Sequence, residues 1–495
     1  MSASNPHGYR GWLTDPMRLF SGWASPLQRA CLVLVVAASA LVGGWAAGTG
    51  HGPLIVLAIF AAALIAALIR WPDIGAYCAV LSVAIPYTWS RSAGSSVIAY
   101  PLLMALALAC ASIPRLNTLK LRPGMLDWLV LAIVLDVGLS EALTGLGYSL
   151  LQHEVLNILI PFAGVRLFFT AYPQCLKQLP RAFLAVGAIA VAYAVCQEAL
   201  GSDPAGKLAP LYNPVLVRWT GVLSRGGELR APSSFSQPIA FGSFLIVPAV
   251  FAFAKRRWVM LAIVLIGIGL TFSRGPYIAV IVSLVLIAVL RGRLTRVGIV
   301  LALIVLAASQ IGPVSHVISN SFTAGTLENQ NANYRTKLLS TSLQNLSLVG
   351  TPIPQNETGN LLLGQGLPDL TSYLAVTVVR TGAIGLLLWL ALVGYLGRLF
   401  LLARSLKDET LGMMTVAMIG LWFSLLSVSL ITNFQYVVWI LLGGLAAHVA
   451  ANCRFAERAP ATAGRGRLPA IPGLEHASAK PGPKLAPGIP GGLVA

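Results

Sequence analysis

The stretch from residue 236 to residue 290 decides the fold: SQPIAFGSFLIVPAVFAFAKRRWVMLAIVLIGIGLTFSRGPYIAVIVSLVLIAVL. It contains three apolar runs, separated by the basic triplet KRR and by the turn TFSRGPY. About 20 mostly apolar residues in a helix cross a bilayer core about 30 Å thick. Helices suit that core because they satisfy their own backbone hydrogen bonds. The stretch therefore predicts three successive membrane-spanning helices.

The same pattern repeats along the chain from Ala30 to Ala451. Of the 495 residues, 57% are hydrophobic and 10% are charged, whereas soluble domains carry about 25% charged residues. This composition excludes a water-soluble fold and predicts an all-α integral membrane protein, a polytopic helical bundle of about 12–14 spans. The predicted spans cover residues 30–47, 53–69, 74–90, 97–113, 126–143, 155–170, 181–200, 236–254, 258–272, 277–290, 296–312, 373–402, 411–431 and 434–451.

The net charge of +18 would suggest nucleic-acid binding in a soluble protein. Here the Lys and Arg residues lie in short clusters at every second junction between apolar runs, and 25 of the 34 fall on one side. Cytoplasmic loops hold the excess of positive charge in membrane proteins. The pattern predicts a cytoplasmic segment 1–29, a transmembrane domain 30–452 and a disordered cytoplasmic tail 453–495, in a bacterial inner membrane.

Two segments on the outer side are longer than simple connections: residues 201–235 and residues 313–372. We expect function to reside there. The second segment also contains apolar residues at helical spacing, which predicts a short helix lying at the membrane interface. These residues are Tyr334, Leu338, Leu339, Leu343 and Leu346.

Nine basic residues face the outer side in this topology. They are Arg91, Lys207, Arg218, Arg225, Arg230, Arg274, Arg335, Lys337 and Arg380. Arg380 lies seven residues inside an apolar run, where an unpartnered charge costs about 2.5–3.5 kcal/mol. Seven residues make two helical turns, so Arg380 shares a helix face with Tyr373, and roughly with Asp369 if the helix begins before Tyr373.

Arginines grouped at a membrane surface suit a lipid-anchored phosphate or pyrophosphate, because each guanidinium can bind two oxygens. The alternative is that they bind lipid headgroups or pair with Glu228, Glu328 and Glu357. The chain has no GxxxxGK[ST], HExxH or EF-hand pattern, so we expect no metal and no cofactor. Asp136 and Glu141, in or near the span 126–143, predict pairing with a neighbouring helix; a proton relay is the alternative.

Several motifs on the predicted outer side resemble the O-antigen ligase and Wzy-type polymerase superfamily. They are, in order, ELRAPSSFSQPIAFGSFL, the TxSRG hairpin, Asn-Tyr-Arg opening an amphipathic segment, LLLGQGLPD and SYLAVTVVRTGAIGLLLWL. Their order and spacing agree with that superfamily over roughly residues 230–390. The earlier spans agree in number and polarity alone.

The resemblance implies a metal-independent glycosyltransferase of the GT-C type that inverts the anomeric carbon. Its donor would be an undecaprenyl-pyrophosphate-linked glycan and its acceptor a second glycan, with membrane lipids and a chain-length regulator as further partners and no nucleic acid. Arg230, Arg274 and Arg335 match the arginines that stabilise the departing pyrophosphate. The other predicted substrate-binding residues are Arg218, Arg225, Lys337, Tyr373 and Arg380.

The chain departs from the ligases before Tyr373, where they carry His-Asn and this sequence reads Pro368-Asp369-Leu370-Thr371-Ser372. Asp369 is the candidate base, unless the leaving group departs early and none is needed; a carboxylate that caps the helix is the alternative. The missing histidine favours repeat-unit polymerisation over transfer of a glycan to lipid A or another acceptor. A secondary transporter or flippase is the alternative of another class, and it would be expected to show repeated halves and interrupted helices.

Overall fold

The structure is a computed structural model of the whole chain. It describes residues 52–93, 96–118, 123–145, 148–208, 223–225, 228–292, 339–344, 346–350, 373–426 and 433–458. The chain divides into a body, Met1–Ala451, and a second unit, Asn452–Ala495. Of the second unit the structure describes residues 452–458, which are helical. The predicted disorder of the rest of the tail, the predicted segment 1–29 and the predicted spans 30–47 and 296–312 lie outside the described residues.

The described part of the chain is dominated by helices. In chain order they are α1 (Gly52–Arg70), α2 (Gly75–Val83), α3 (Tyr100–Ser112), α4 (Met125–Thr144), α5 (Ser149–Glu154), α6 (Ile160–Ala171), α7 (Leu179–Leu200), α8 (Pro238–Ala254), α9 (Trp258–Leu270), α10 (Arg274–Leu290), α11 (Tyr373–Leu406), α12 (Glu409–Leu425) and α13 (Phe434–Arg458). A π-helical turn, Val155–Leu159, joins α5 to α6. A short helix over residues 339–344 lies within the predicted interfacial helix of the long loop.

Two short antiparallel hairpins, with strands of three residues each, accompany the helices of this all-α fold. Strands β1 (Arg91–Ala93) and β2 (Ser96–Ile98) form one, and β3 (Leu223–Arg225) and β4 (Glu228–Arg230) form the other. Both lie in segments predicted to face the outer side. The sequence carried a signal for the second hairpin, because two glycines between short runs are typical of a tight hairpin connection.

The helices lie where the apolar runs predicted them, but most are shorter than a bilayer core requires. Four are long and apolar enough to cross a membrane: Leu150–Ala171, Pro173–Leu200, Tyr373–Leu406 and Phe434–Asn452. A fifth span results if the bent pair Phe60–Arg70 and Pro72–Val83 counts as one. Five further apolar helices in the described residues have 10–17 residues. The described part of the chain therefore supports a membrane protein, with four or five spans by length and composition.

Two predicted spans differ in their limits. The run 74–90 ends as a helix at Val83, where a turn leads to Pro86, because proline lacks the N–H that a continuing helix needs. The run 155–170 begins earlier, at Ser149. Glu141 accepts hydrogen bonds at 2.7 Å from the N–H groups of Leu150 and Leu151, and so satisfies donors that a helix start leaves open. This contact is the neighbouring-helix pairing that was predicted for Glu141.

Helix α8 lies at the centre of the bundle. All but one of its residues are buried, and it packs against α7, α9, α10 and α12. A helix that is apolar on every side is buried in this way. Helix α4, by contrast, exposes Leu135, Leu139 and Leu143 along one face and buries Asp136 and Ser140 on the other. An exposed apolar stripe opposite a buried polar one is typical of a helix that faces lipid.

Ion pairs join helix ends and adjoining residues that the sequence places on the cytoplasmic side. Lys255 after α8 and Arg291 after α10 both bind Glu409, with 2.9 Å between the Lys255 Nζ and Glu409 Oε2. Arg166 binds Asp127 at 3.1 Å. Burial raises the pKa of the Glu409 carboxyl, but the hydrogen bonds and charges of Lys255 and Arg291 outweigh it and hold that pKa below its usual value.

Candidate functional site

Arg230, at the end of β4, is fixed onto the turn between α9 and α10. Its Nε donates to the carbonyl of Thr271 at 2.9 Å and its Nη2 to the hydroxyl of Ser273 at 2.6 Å. The next residue, Ala231, donates its backbone N–H to the Leu270 carbonyl at 3.2 Å. Side chain and backbone therefore both attach the end of the outer segment 201–235 to this turn.

Arg274 follows Ser273 directly and is the first residue of α10. The structure thus brings together two of the three arginines that match the superfamily, although 44 positions separate them in the chain. The first turn of a helix carries a partial positive charge. Anions bind favourably at such a helix start, so a negatively charged ligand suits the arrangement.

The backbone around this pair adopts conformations that non-glycine residues rarely take. Ser233, Ser236 and Phe272 have positive φ angles of 50°, 60° and 44°. Such residues cost about 1–3 kcal/mol each and concentrate at functional sites. Two bonds hold Ser233: its hydroxyl donates to Ala190 O at 2.8 Å, and its carbonyl accepts from Gln197 Nε2 at 3.2 Å.

Arg380 lies in a second cluster, inside the helical bundle. Its Nη2 donates to Glu154 Oε1 at 3.1 Å, and both side chains are more than nine-tenths buried. The pair lines a cavity of about 20 Å³ together with Tyr373 and Asp136. The prediction that Arg380 and Tyr373 share a helix face is confirmed, because both line this cavity. A buried Arg also requires a partner, and here that partner is Glu154.

The cluster stands beside an interruption of α11. Gly382 has φ 67° and ψ −150°, a conformation that breaks the helix and that essentially glycine alone adopts. Segment 346–350 of the long loop fits against the break: Ala383 N–H donates to Ser347 O at 2.9 Å, and Ile384 N–H to Leu348 O at 3.3 Å. The loop therefore supplies acceptors for the new helix start, next to Arg380.

Four predicted site residues, Arg218, Arg335, Lys337 and Asp369, lie outside the described residues. For a fifth, Arg225, the structure describes the backbone alone, which pairs with Glu228 in the hairpin. The described residues thus form two clusters of predicted site residues: Arg230 with Arg274, and Arg380 with Tyr373.

Sequence reasoning missed Glu154 and the polar residues next to it. Asn157, in the π-helical turn, accepts from Tyr436 Oη at 2.5 Å and donates to His153 O at 2.8 Å. The available signal was His153-Glu154 at the edge of an apolar run, since an acid at that position can neutralise an arginine placed within another run. The sequence does not show that Glu154 is the acid that pairs with Arg380, because the two residues lie 226 positions apart in the chain.

Among the described residues, no group of three or more His, Cys, Asp or Glu side chains is arranged to hold a metal ion. No family model matches the chain, and no curated protein matches it either. The resemblance to the ligase and polymerase superfamily therefore rests on the motifs in the sequence. The two clusters hold the described residues that could carry chemistry.

Proposed function

We propose that the chain is a membrane glycosyltransferase that joins lipid-linked sugar chains at the outer face of a bacterial inner membrane. It polymerises repeat units carried on undecaprenyl pyrophosphate. The observation that carries this proposal is the attachment of Arg230 to the turn that bears Arg274. Two arginines at one helix start, of which Arg230 is fixed by its hydrogen bonds, suit the two phosphates of a pyrophosphate.

The proposed reaction is a displacement at the anomeric carbon. The acceptor hydroxyl forms a new C–O bond, the bond to pyrophosphate breaks with inversion, and the hydroxyl proton passes to a base, for which Asp369 is the proposed residue. Negative charge grows on the leaving pyrophosphate, and positioned cations that stabilise such charge often supply the largest catalytic contribution. Arg230 and Arg274 act at this step, with Arg335 as the third proposed cation.

On this proposal the chain crosses the membrane about 12–14 times with both termini in the cytoplasm. The bent pair Phe60–Arg70 and Pro72–Val83 is then two separate crossings, and the contacts of α2 support this. Asp73, before α2, accepts from the thiol of Cys175 at 3.5 Å, and the Val83 carbonyl at its other end accepts from Asn433 at 3.0 Å. Cys175 is predicted inside and Asn433 outside, so the two ends of α2 contact segments that the proposal places on opposite sides.

Lysine replacements test the arginine pair. We expect Arg230→Lys and Arg274→Lys to keep their level in the membrane and to lose polymer formation, because lysine cannot reproduce the planar fork. The matched control is Arg404→Lys, an exposed arginine in the last turn of α11, which should retain full activity. Wild-type polymer from both Arg230→Lys and Arg274→Lys would remove the arginine mechanism.

Deletion of the gene in its own host distinguishes the functions. Single repeat units accumulating on the lipid carrier, with long chains lost, would support polymerisation. Full-length chains accumulating on the carrier would instead indicate a ligase that transfers finished glycan to lipid A or another acceptor. An unchanged surface glycan profile would contradict both enzymatic functions.

A secondary transporter or flippase is the second candidate, and the interruption of α11 favours it. Transporters place charged residues beside broken helices within the membrane, and Gly382 lies two residues from the buried Arg380. In that case the deletion strain would retain single repeat units on the inner leaflet. Their exposure on the outer leaflet would exclude a flippase.

A further inference from the structure

The cavity beside Arg380 has unequal numbers of acids and bases. Asp136 from α4, Glu154 from α5 and Arg380 from α11 all line it, and each is at most 6% exposed. Arg380 is the single Lys or Arg among the described residues that line the cavity, and it is bonded to Glu154. Two buried carboxylates with one guanidinium would leave a net negative charge in a medium of low dielectric constant, which is strongly unfavourable.

The hydroxyl of Thr381 favours Asp136 as the neutral acid. It has one proton, which it donates to the Thr377 carbonyl at 2.8 Å. The same hydroxyl lies within hydrogen-bonding reach of the Asp136 carboxyl. A Thr381 hydroxyl that donates to Thr377 has only acceptor capacity left for Asp136, and a carboxyl donates a hydrogen bond only when it carries a proton. To donate to an ionised Asp136 instead, Thr381 would have to give up its bond to the Thr377 carbonyl.

Two further atoms indicate a bound water. Asp136 Oδ1 and Arg380 Nε are buried and make no hydrogen bond within the described residues. The cavity that both residues line has a volume of about 20 Å³, and about 10–15 Å³ is enough for one water. A water there accepts from Arg380 Nε–H and donates to Asp136 Oδ1, so that both atoms gain the partner they lack.

We propose that this cavity is a proton-binding site, in which Asp136 carries the proton, one water joins it to Arg380, and Arg380 stays paired with Glu154. The other titratable groups facing it in the described residues are Tyr373, which lines the cavity, and His153, beside Glu154. Glu141, on α4 itself, is occupied by the N–H groups of α5. If Asp136 lost its proton, the Arg380 guanidinium would have to neutralise the carboxylates of both Asp136 and Glu154. Arg380 lies two residues before the break at Gly382.

Infrared spectroscopy of the purified full-length protein tests the site. At neutral pH we expect the carbonyl band of a protonated carboxylic acid, shifted in D₂O. Asp136→Asn should remove this band, whereas the matched control Glu141→Gln should keep it. A wild-type protein without the band, or a band that persists in Asp136→Asn, would overturn the proposal. Should Asp136→Asn fail to fold, Asp136→Glu must shift the band, and an unshifted band would also overturn it.

Glu154→Gln gives the sharpest outcome. It removes the carboxylate bound to Arg380, and Asp136 is then the one remaining acid among the described Asp and Glu residues lining the cavity. Asp136 should release its proton to neutralise Arg380, so the band should disappear although Asp136 is unchanged. A wild-type band in folded Glu154→Gln would show that the charges are not coupled and would contradict the site. The test is independent of sugar transfer, because it needs no substrate.

Discussion

At the scale of single residues, the position of Arg380 depends on Glu154. The sequence placed this arginine inside an apolar run, where it needs a partner, but that partner comes from a helix 226 positions earlier. A buried charge that loses its partner is destabilising by about 3–5 kcal/mol, whereas replacing a whole buried pair by apolar residues is often neutral. The pair is therefore tested best by removing its members separately and together.

We expect Arg380→Met to lower the free energy of unfolding by about 3–5 kcal/mol, because it leaves Glu154 buried without a cation. The double variant Arg380→Met/Glu154→Leu should recover most of this loss. Glu154→Gln should lose less than Arg380→Met, since Asp136 can replace Glu154. Denaturation in detergent, followed by circular dichroism, measures all of them. Equal losses in the Arg380→Met and double variants would contradict the ion pair's role.

At the scale of elements, α11 is shaped by its glycines. Gly382 provides the break, and Gly350 in the loop approaches it so closely that an added Cβ would lie 2.6 Å from the backbone of Thr381 and Gly382. Gly385, one turn after Thr381, is equally confined by side chains. The apolar pattern of 373–402 predicted one continuous helix, since a glycine in an apolar run is compatible with either a helix or a break.

Gly385→Ala should destabilise the protein by about 1–3 kcal/mol, the usual range for an overfilled core. Its Cβ would lie 1.7 Å from Thr381 Oγ1 and 2.7 Å from Asp136 Oδ2. The control is Gly394→Ala in the same helix, where nothing lies within 4 Å and alanine should stabilise by up to about 1 kcal/mol. Thermal unfolding of the two variants should therefore shift in opposite directions, and equal shifts would contradict the packing at Gly385.

At the scale of the whole molecule, the charges separate into two groups of loops. Lys255, Arg291 and Glu409 join the ends of α8 and α10 to the start of α12. Arg230 bonds to the turn before Arg274. This contact joins the end of segment 201–235 to the turn between α9 and α10, and both are predicted on the outer side. The contacts thus agree with the alternation of Lys and Arg in the sequence, and each group has a test of its own.

Glu409 should make stability depend on pH. A carboxyl whose pKa is lower in the folded state stabilises that state above its unfolded pKa, and the contribution is lost as pH falls through the folded pKa. Wild type should therefore exceed Glu409→Gln in unfolding temperature at neutral pH, and the two should converge in acid. The difference should be small, because the Glu409 side chain is 48% exposed and such pairs are screened by solvent. A constant difference from neutral pH to acid would contradict this assignment.

Cysteine accessibility in intact cells tests the sidedness. In a background without the native cysteines, Leu348→Cys in the loop segment should react with a membrane-impermeant thiol reagent. Arg404→Cys, near the Glu409 group, should react after the membrane is permeabilised. Both side chains are exposed, so burial does not explain a difference. The reverse result would invert the predicted topology.

The sequence by itself determined the class of protein, the positions of nearly all described helices and the two groups of charged loops. These follow from local patterns, because the apolar run, its period and its flanking Lys and Arg residues are read within about 20 residues. Only the tertiary structure decided that Arg230 bonds to the turn before Arg274, that Glu154 neutralises Arg380, and that α11 breaks at Gly382 against segment 346–350. Each of these depends on contacts between residues far apart in the chain, and in an apolar interior the position of one charge is set by where its partner lies.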